Sequence, residues 1–336
     1  MGVLAYVGKR LALYFAVLFI GLTITFMLPR LMPINPVDGY IGQIQARANG
    51  VLTVEAIAEL RTNLETLYGL NGDIFSQYVN YLQRIVLRFD FGPSFAYYPQ
   101  PVSAMLLAAL PWTLGLLLVS TVIAWIMGNM VGLVAGYFHK KKAASLLEFV
   151  GILLYPIPYY ILAVTALLLL AYVFPIFPLS ATFPVGQMTP EKFGMIIYNS
   201  LLPGITLVLA GFGWNILSMK ALTVATTEEP YVTYARLKGA SNWTRMISYV
   251  FRNALLPQVT ALALSLGMVF NGALLTEMIF SYPGIGLQLV DAVRNHDVPV
   301  VQALSMIIAG VYVVVNLIAD LLSILLTPRA RTAISS

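Results

Sequence analysis

Six stretches of this chain, each close to 20 residues or longer, run without a charged side chain. They are Leu11 to Pro29, Pro111 to Phe138, the segment between Glu148 and Pro175, the segment between Lys192 and Lys220, Ala254 to Thr276, and the segment between Asp297 and Asp320. A helix needs about 20 mostly apolar residues to cross the hydrocarbon of a bilayer. The pattern therefore predicts an all-α membrane protein with six transmembrane helices. Pro156 and Pro158 fall in the third stretch, where lost backbone hydrogen bonds predict a kink. Residues 30–110 break the pattern. Thr53 can cap a helix that ends at Gly69, with Ile57, Leu60, Leu64 and Leu67 on one face. A second amphipathic run carries Phe75, Tyr78, Val79, Leu82, Ile85, Val86 and Phe89. This reads as an extracytoplasmic insertion of two or three helices, either a platform for an outer partner or a cover over the spans. The expected organisation is thus 1–29 for the N-terminus and first span, 30–110 for the insertion, 111–328 for a five-helix core that includes a basic loop at 221–254, and 329–336 for a tail.

Composition agrees with a bilayer as solvent. The 336 residues are 59% hydrophobic and 10% charged, with a mean hydropathy of +0.84. The net charge of +5 is the Lys and Arg excess that multi-span proteins keep on the cytoplasmic side, and calls for no nucleic-acid partner. Six spans put both termini on one side. Placing them inside leaves Lys9, Arg10, Lys140 to Lys142, Lys220, Arg236, Lys238, Arg245, Arg252, Arg329 and Arg331 in the cytoplasm, and only Lys192 and Arg294 in the short outer loops. Lys9 and Arg10 before an apolar run resemble a secretory signal. The run is long for one, however, and Pro29 to Pro33 offers no small-residue cleavage site, so it is kept as a span.

Candidate chemistry inside the spans is sparse. The chain has no cysteine, and His139 and His296 fall at opposite faces, so no metal site is expected. No carboxylate sits mid-span. Glu148 and Asp320, near span ends, read as helix anchors. A stand-alone ion-driven carrier usually keeps an ionisable group near the midplane, and an intramembrane enzyme needs a nucleophile, metal or carboxylate set. There is no phosphate-binding loop of the G-x-x-x-x-G-K-[ST] type, so this chain is not expected to bind ATP or to be an enzyme. Asn215 and Asn271 are the candidates for a translocation path, with Trp214, Thr165, Ser218 and Ser265 as further polar groups. The plainer reading of each is a hydrogen bond to a neighbouring helix. Gly128, Gly132 and Gly136 recur every four residues and predict a close helix–helix approach.

One polar stretch stands between two apolar runs: Glu229-Pro230-Tyr231-Val232-Thr233-Tyr234-Ala235-Arg236-Leu237-Lys238-Gly239. Pro230 suits a first helical turn, Glu228 and Glu229 suit its positive end, Arg236 and Lys238 suit the other end, and Gly239 can close it. A helix this short is unstable alone in water and must dock. Ser241 or Asn242 can cap a following helix through Met246 and Val250 toward Asn253. A basic loop resting on anionic lipid, worth ~1 kcal/mol per cation, would explain neither the caps nor the small Ala235 and Gly239.

This stretch, followed by Arg252-Asn253-Ala254-Leu255-Leu256-Pro257, resembles the signature loop of permeases of binding-protein-dependent ABC importers, the peptide/nickel branch above all. Glu277, Phe280, Pro283-Gly284-Ile285-Gly286, Asp297 and Pro299 resemble a second motif of that branch, and the long segment after the first span is similar to that of one of its two permease subunits. Pro230 and Thr233 depart from it, standing where acidic residues are usual. The resemblance implies the type I importer permease fold in the inner membrane, with the short helix as a coupling helix. Tyr231, Ala235, Arg236, Lys238 and Gly239 would then contact an ATP-hydrolysing subunit. It also implies two such subunits carrying ATP and magnesium, a homologous second permease and an extracytoplasmic substrate-binding protein. Oligopeptides are the expected cargo. Oligosaccharides such as β-linked glucose oligomers are the alternative, suited to 19 Tyr, 17 Phe and 4 Trp. Nickel is disfavoured by only two histidines.

Overall fold

The computed structural model of the protein describes residues 3–31, 36–47, 53–183, 189–267 and 270–326. Among these the regular structure is helical throughout. The helices are α1 (Val3–Leu31), α2 (Pro36–Arg47), α3 (Val54–Leu67), α4 (Ile74–Leu82), α5 (Val102–Tyr137), α6 (Lys142–Leu154), α7 (Tyr159–Leu167), α8 (Pro190–Thr227), α9 (Pro230–Leu237), α10 (Asn242–Thr244), α11 (Arg252–Gly267), α12 (Phe270–Phe280), α13 (Ile285–Arg294) and α14 (Val298–Leu326). Wider π-helical turns extend α4 to Leu87 and α7 to Val173, and join α10 to α11. Parts of α1, α5, α8 and α14 are long and apolar enough to cross a membrane. The α6–α7 pair meets the same test only when taken together, across a bend of 95°. Tyr155 N–H still bonds to Gly151 O at 3.0 Å, but Pro156 and Pro158 bring no N–H to continue the ladder. The expected kink is therefore a break between two helices. The fifth expected stretch is carried by α11 and α12, with 268–269 between them outside the described residues. So are Arg329, Arg331 and the 329–336 tail.

The boundary expected at 110/111 falls inside α5, which begins at Val102 and takes Pro111 into its body. An apolar membrane helix tolerates the one lost hydrogen bond because its neighbours re-satisfy the freed groups.

The chain divides into two compact units. The first comprises Met1–Tyr6, Thr113–Tyr282 and Val314–Ser336. Its seam is the glycine stripe of α5. A Cβ at Gly128 would stand 2.4 Å from Asn215 Cβ, one at Gly132 would stand 2.6 Å from Ile216 O, and one at Gly136 would stand 2.6 Å from Thr223 Cβ. Both numberings rise together, so α5 and α8 run parallel. The α6–α7 pair meets α8 in falling order. Glu148 pairs with Lys220, Gly151 packs on Ile216, Tyr159 Oη lies 3.5 Å from Thr206 Oγ1, and Tyr198 Oη donates to Ile176 O. Successive segments α11 and α12 also meet α8 in falling order. Gln258 Nε2 donates to Ser218 Oγ at 2.7 Å, Phe280 shares an apolar cluster with Leu202, and Tyr282 and Ser200 exchange a hydrogen bond at 3.0 Å.

The second unit comprises Val7–Trp112 and Pro283–Val313. Thr53 accepts from Ala56 N–H at the start of α3, and Gly69 closes the helix at φ +64°. Val37, Ile41 and Leu64 form the buried core of the α2–α3 hairpin. The loop before α5 is pinned by Asp297, which is 1% exposed. Its carboxylate accepts from the Ser94 hydroxyl, from Phe95 N–H at 3.1 Å and from Ala96 N–H at 3.0 Å.

Candidate functional site

Helix α9 is eight residues long, with Glu229 at its N-cap and Pro230 in the first turn. Its C-terminus is closed by paired backbone bonds, Gly239 N–H to Arg236 O and Ala240 N–H to Ala235 O, each 3.1 Å. Gly239 adopts the left-handed φ of +79° that this closure requires. Ser241 then accepts from Thr244 N–H at 3.2 Å and opens α10. A helix of this length persists only with tertiary support. Val232 and Ala235, one turn apart, supply it. They are 5% and 3% exposed, and Val232 packs with Leu133 of α5, Met219 of α8, and Met246, Val250 and Ala254.

The opposite face is left open. Tyr231, Tyr234 and Leu237 are 39%, 59% and 80% exposed. Arg236, Lys238 and Gly239 are exposed as well. Lys238 Nζ rests 4.7 Å above the Tyr234 ring, a cation–π contact that holds the ammonium beside the aromatic surface. Burial and the nearby Glu229 carboxylate push the Tyr231 phenol pKa up, so its hydroxyl is kept. Trp243, on the next helix, is 70% exposed. The site is thus a short rod with an aromatic and cationic face. Of the residues singled out from sequence, Tyr231, Arg236, Lys238 and Gly239 are on the open side. Ala235 is on the packed side, where its small side chain lets α9 sit close to its own chain. Tyr234, Leu237 and Trp243 were not singled out. The i, i+3 spacing of Val232 and Ala235 would have assigned the first two to the other face.

The polar groups within the apolar helices resolve differently. Asn215 is half-buried. Its Nδ2 donates to Gly211 O of its own helix at 2.9 Å, and its Cβ seats on Gly128. Asn271 belongs to α12, and its side chain lies outside the described residues. Ser218 bonds across to Gln258. Glu277 is wholly buried and accepts from Thr113 Oγ1 at 2.6 Å. In the sequence Glu277 is legible only as part of a motif. Among the described residues no group of three His, Asp or Glu side chains could hold a metal ion.

Comparison with known proteins places these features in context. A family model described as "Binding-protein-dependent transport system inner membrane component" matches residues 128–332. The chain is 30% identical to the metal-staphylopine import system permease protein CntB of Staphylococcus aureus, over 97% of this chain and 98% of that one. It is 28% identical to the dipeptide transport system permease protein DppB of Lactococcus lactis, over 97% and 99%. It is also 28% identical to a probable peptide ABC transporter permease protein of Sinorhizobium fredii, over 98% and 100%.

Proposed function

Because the chain belongs to the family of binding-protein-dependent transport system inner membrane components, we propose that it is the permease subunit of an ATP-driven importer of oligopeptides. In this reading it is not an enzyme. ATP and magnesium bind two partner subunits, a second permease completes the path, and a soluble binding protein delivers cargo at the outer face. The observation that carries the reading is α9. The helix is anchored on one side by Val232 and Ala235 and offers Tyr231, Tyr234, Leu237, Arg236 and Lys238 on the other. A rod held by the span bundle and presenting an aromatic, cationic face is suited to seat in an acidic-lined cleft of a moving partner. It then passes that movement to α5, α8 and α11, whose residues grip it.

The contact order supports six crossings. Between Lys220 and Tyr198 the segment from Glu148 to Ile176, which holds α7 and most of α6, travels along α8 for 22 residues, roughly 33 Å at 1.5 Å per residue, about the thickness of the hydrocarbon layer. Parallel α5 and α8 require such a return between them. The α11–α12 pair returns in the same way. Both termini are then cytoplasmic, on the side of α9.

A second cargo, a metal chelate, is favoured by the name of the Staphylococcus aureus relative. Uptake of labelled dipeptide against labelled metal chelate by the reconstituted importer separates the two. The function itself is tested by reversing charge with Arg236→Glu and Lys238→Glu together. Membrane insertion should be unchanged, and uptake should fall by at least about tenfold while ATP turnover continues. Normal uptake in that variant overturns the assignment of α9.

A further inference from the structure

A cavity of about 440 Å³ lies in the second unit, walled by the turn after α3, by α4 and its π-helical extension, by the loop before α5, by Val37 of α2, by the last turn of α1 and by the start of α14. That is the size of a small-ligand pocket. Its walls are largely aromatic and aliphatic, with Tyr68, Ile74, Phe91 and Phe95 among them. Two guanidinium groups also line it. Arg84 is balanced, since its Nε and Nη2 donate to Asp90 Oδ2 at 3.1 and 2.9 Å. Arg30 is not. Its Nε and Nη2 donate to Gln77 Oε1 at 3.2 and 2.8 Å, and its Nη1 donates to Phe26 O at 2.9 Å. Its guanidinium carbon lies 3.5 Å from the centre of the Phe26 ring. Every one of these partners is neutral, so among the described residues the cavity holds one uncompensated cation. Three of its five N–H groups are used. Tyr81 lines the same cavity. Its hydroxyl is buried without a hydrogen-bond partner, and burial pushes its pKa up to about 12, so it remains a donor.

A partly desolvated cation and an orphaned hydroxyl are costly unless an oxyanion meets them. We propose that this cavity binds the carboxylate end of a short peptide, with Arg30 and the Tyr81 hydroxyl as donors to the carboxylate oxygens. A carboxylate carries the single charge that the pocket leaves unbalanced, and its plane matches the guanidinium fork. A phosphate monoester or free phosphate carries about −1.5 to −2, more than the pocket balances. The aromatic walls suit the apolar side chains of a peptide. The choice of a peptide rests on the import reading; the anion site does not.

The test uses the purified full chain in phosphatidylcholine nanodiscs, without ATPase subunits or binding protein. Binding of phenylalanyl-alanine is compared with that of its C-terminal amide. The free acid should bind at least about tenfold tighter. Arg30→Gln should remove that preference, and Arg30→Lys should keep part of it. Tyr81→Phe should weaken acid binding several-fold with an unchanged melting temperature, which separates a ligand contact from a folding defect. Equal binding of acid and amide, or an undiminished preference in Arg30→Gln, overturns the proposal. So does tight, Arg30-dependent binding of phosphatidylglycerol or inorganic phosphate in a protein that ignores the peptide. No part of this measurement engages α9, so its failure leaves the import reading standing, and the failure of the charge reversal leaves this site standing.

Discussion

Gly239 is strained for any side chain by its backbone alone, because it sits at φ +79° with open space where a Cβ would go. Replacing it therefore tests the left-handed closure of α9 without a packing change. Alanine should cost about 1–2 kcal/mol locally, and asparagine, which tolerates this conformation, should cost less. Uptake by the reconstituted importer should accordingly fall in the order glycine, asparagine, alanine, valine. An equal rate for all four would mean that the end of α9 need not be ordered for coupling. Gly239 could be read from sequence because capping is local chemistry: an acidic start, a basic end and a terminal glycine lie within a dozen residues. Asp297 and Glu277 could not be read that way. Each stood in a recognisable motif, yet what each holds, Ser94 to Ala96 in one case and Thr113 in the other, is brought to it only by the fold. Arg30 is likewise placed by the fold, which sets Gln77 and Phe26 around it.

At the scale of elements, the repeat of Gly128, Gly132 and Gly136 predicts a close approach, and the structure supplies the partner, α8. All three positions face atoms that no rotamer change can move. A Cβ at Gly132 would meet the backbone oxygen of Ile216 at 2.6 Å and the Cβ of Met219 at 2.8 Å. Gly132→Ala should separate α5 from α8 and cost about 1–3 kcal/mol. A lowered melting temperature in detergent, with weakened uptake, is the expected readout. Gly115→Ala, on the same helix with nothing within 4 Å, is the control and should be neutral or slightly stabilising, by up to about 1 kcal/mol of helix propensity. Equal effects at the two positions would remove the seam from the account. Helix identity was legible here because apolar runs and glycine spacing are periodic. Helix ends were less so. Pro111 looked like a beginning and lies inside α5, since proline marks a lost hydrogen bond and that loss alone does not end a membrane helix. The 95° break at Pro156 and Pro158 has the same origin, and only its place could be foreseen.

For the whole molecule the decisive question is how many times the chain crosses the bilayer. Hydropathy counts six stretches, while single helices of sufficient length account for four and the bent α6–α7 pair for a fifth. Length alone treats a broken helix as short. The order of contacts along α8 treats it as a path, and the proposed reading has α6–α7 and α11–α12 each cross the layer. The absence of cysteine from the sequence makes this measurable, since any introduced thiol is the sole target of a membrane-impermeant maleimide. Single substitutions Lys141→Cys, between α5 and α6, and Thr233→Cys, on α9, should react only from the cytoplasmic side. Ser180→Cys, between α7 and α8, and Asn295→Cys, between α13 and α14, should react only from outside. All four positions are exposed in the structure, so silence from one side reports the membrane and not burial. Ser180→Cys decides the matter. Labelling from the same side as Lys141→Cys would make the bent pair a re-entrant loop and leave α5 and α8 unable to run parallel through one bilayer. Labelling from the opposite side requires the chain to have crossed between them, and puts α9 on the side where ATP is found.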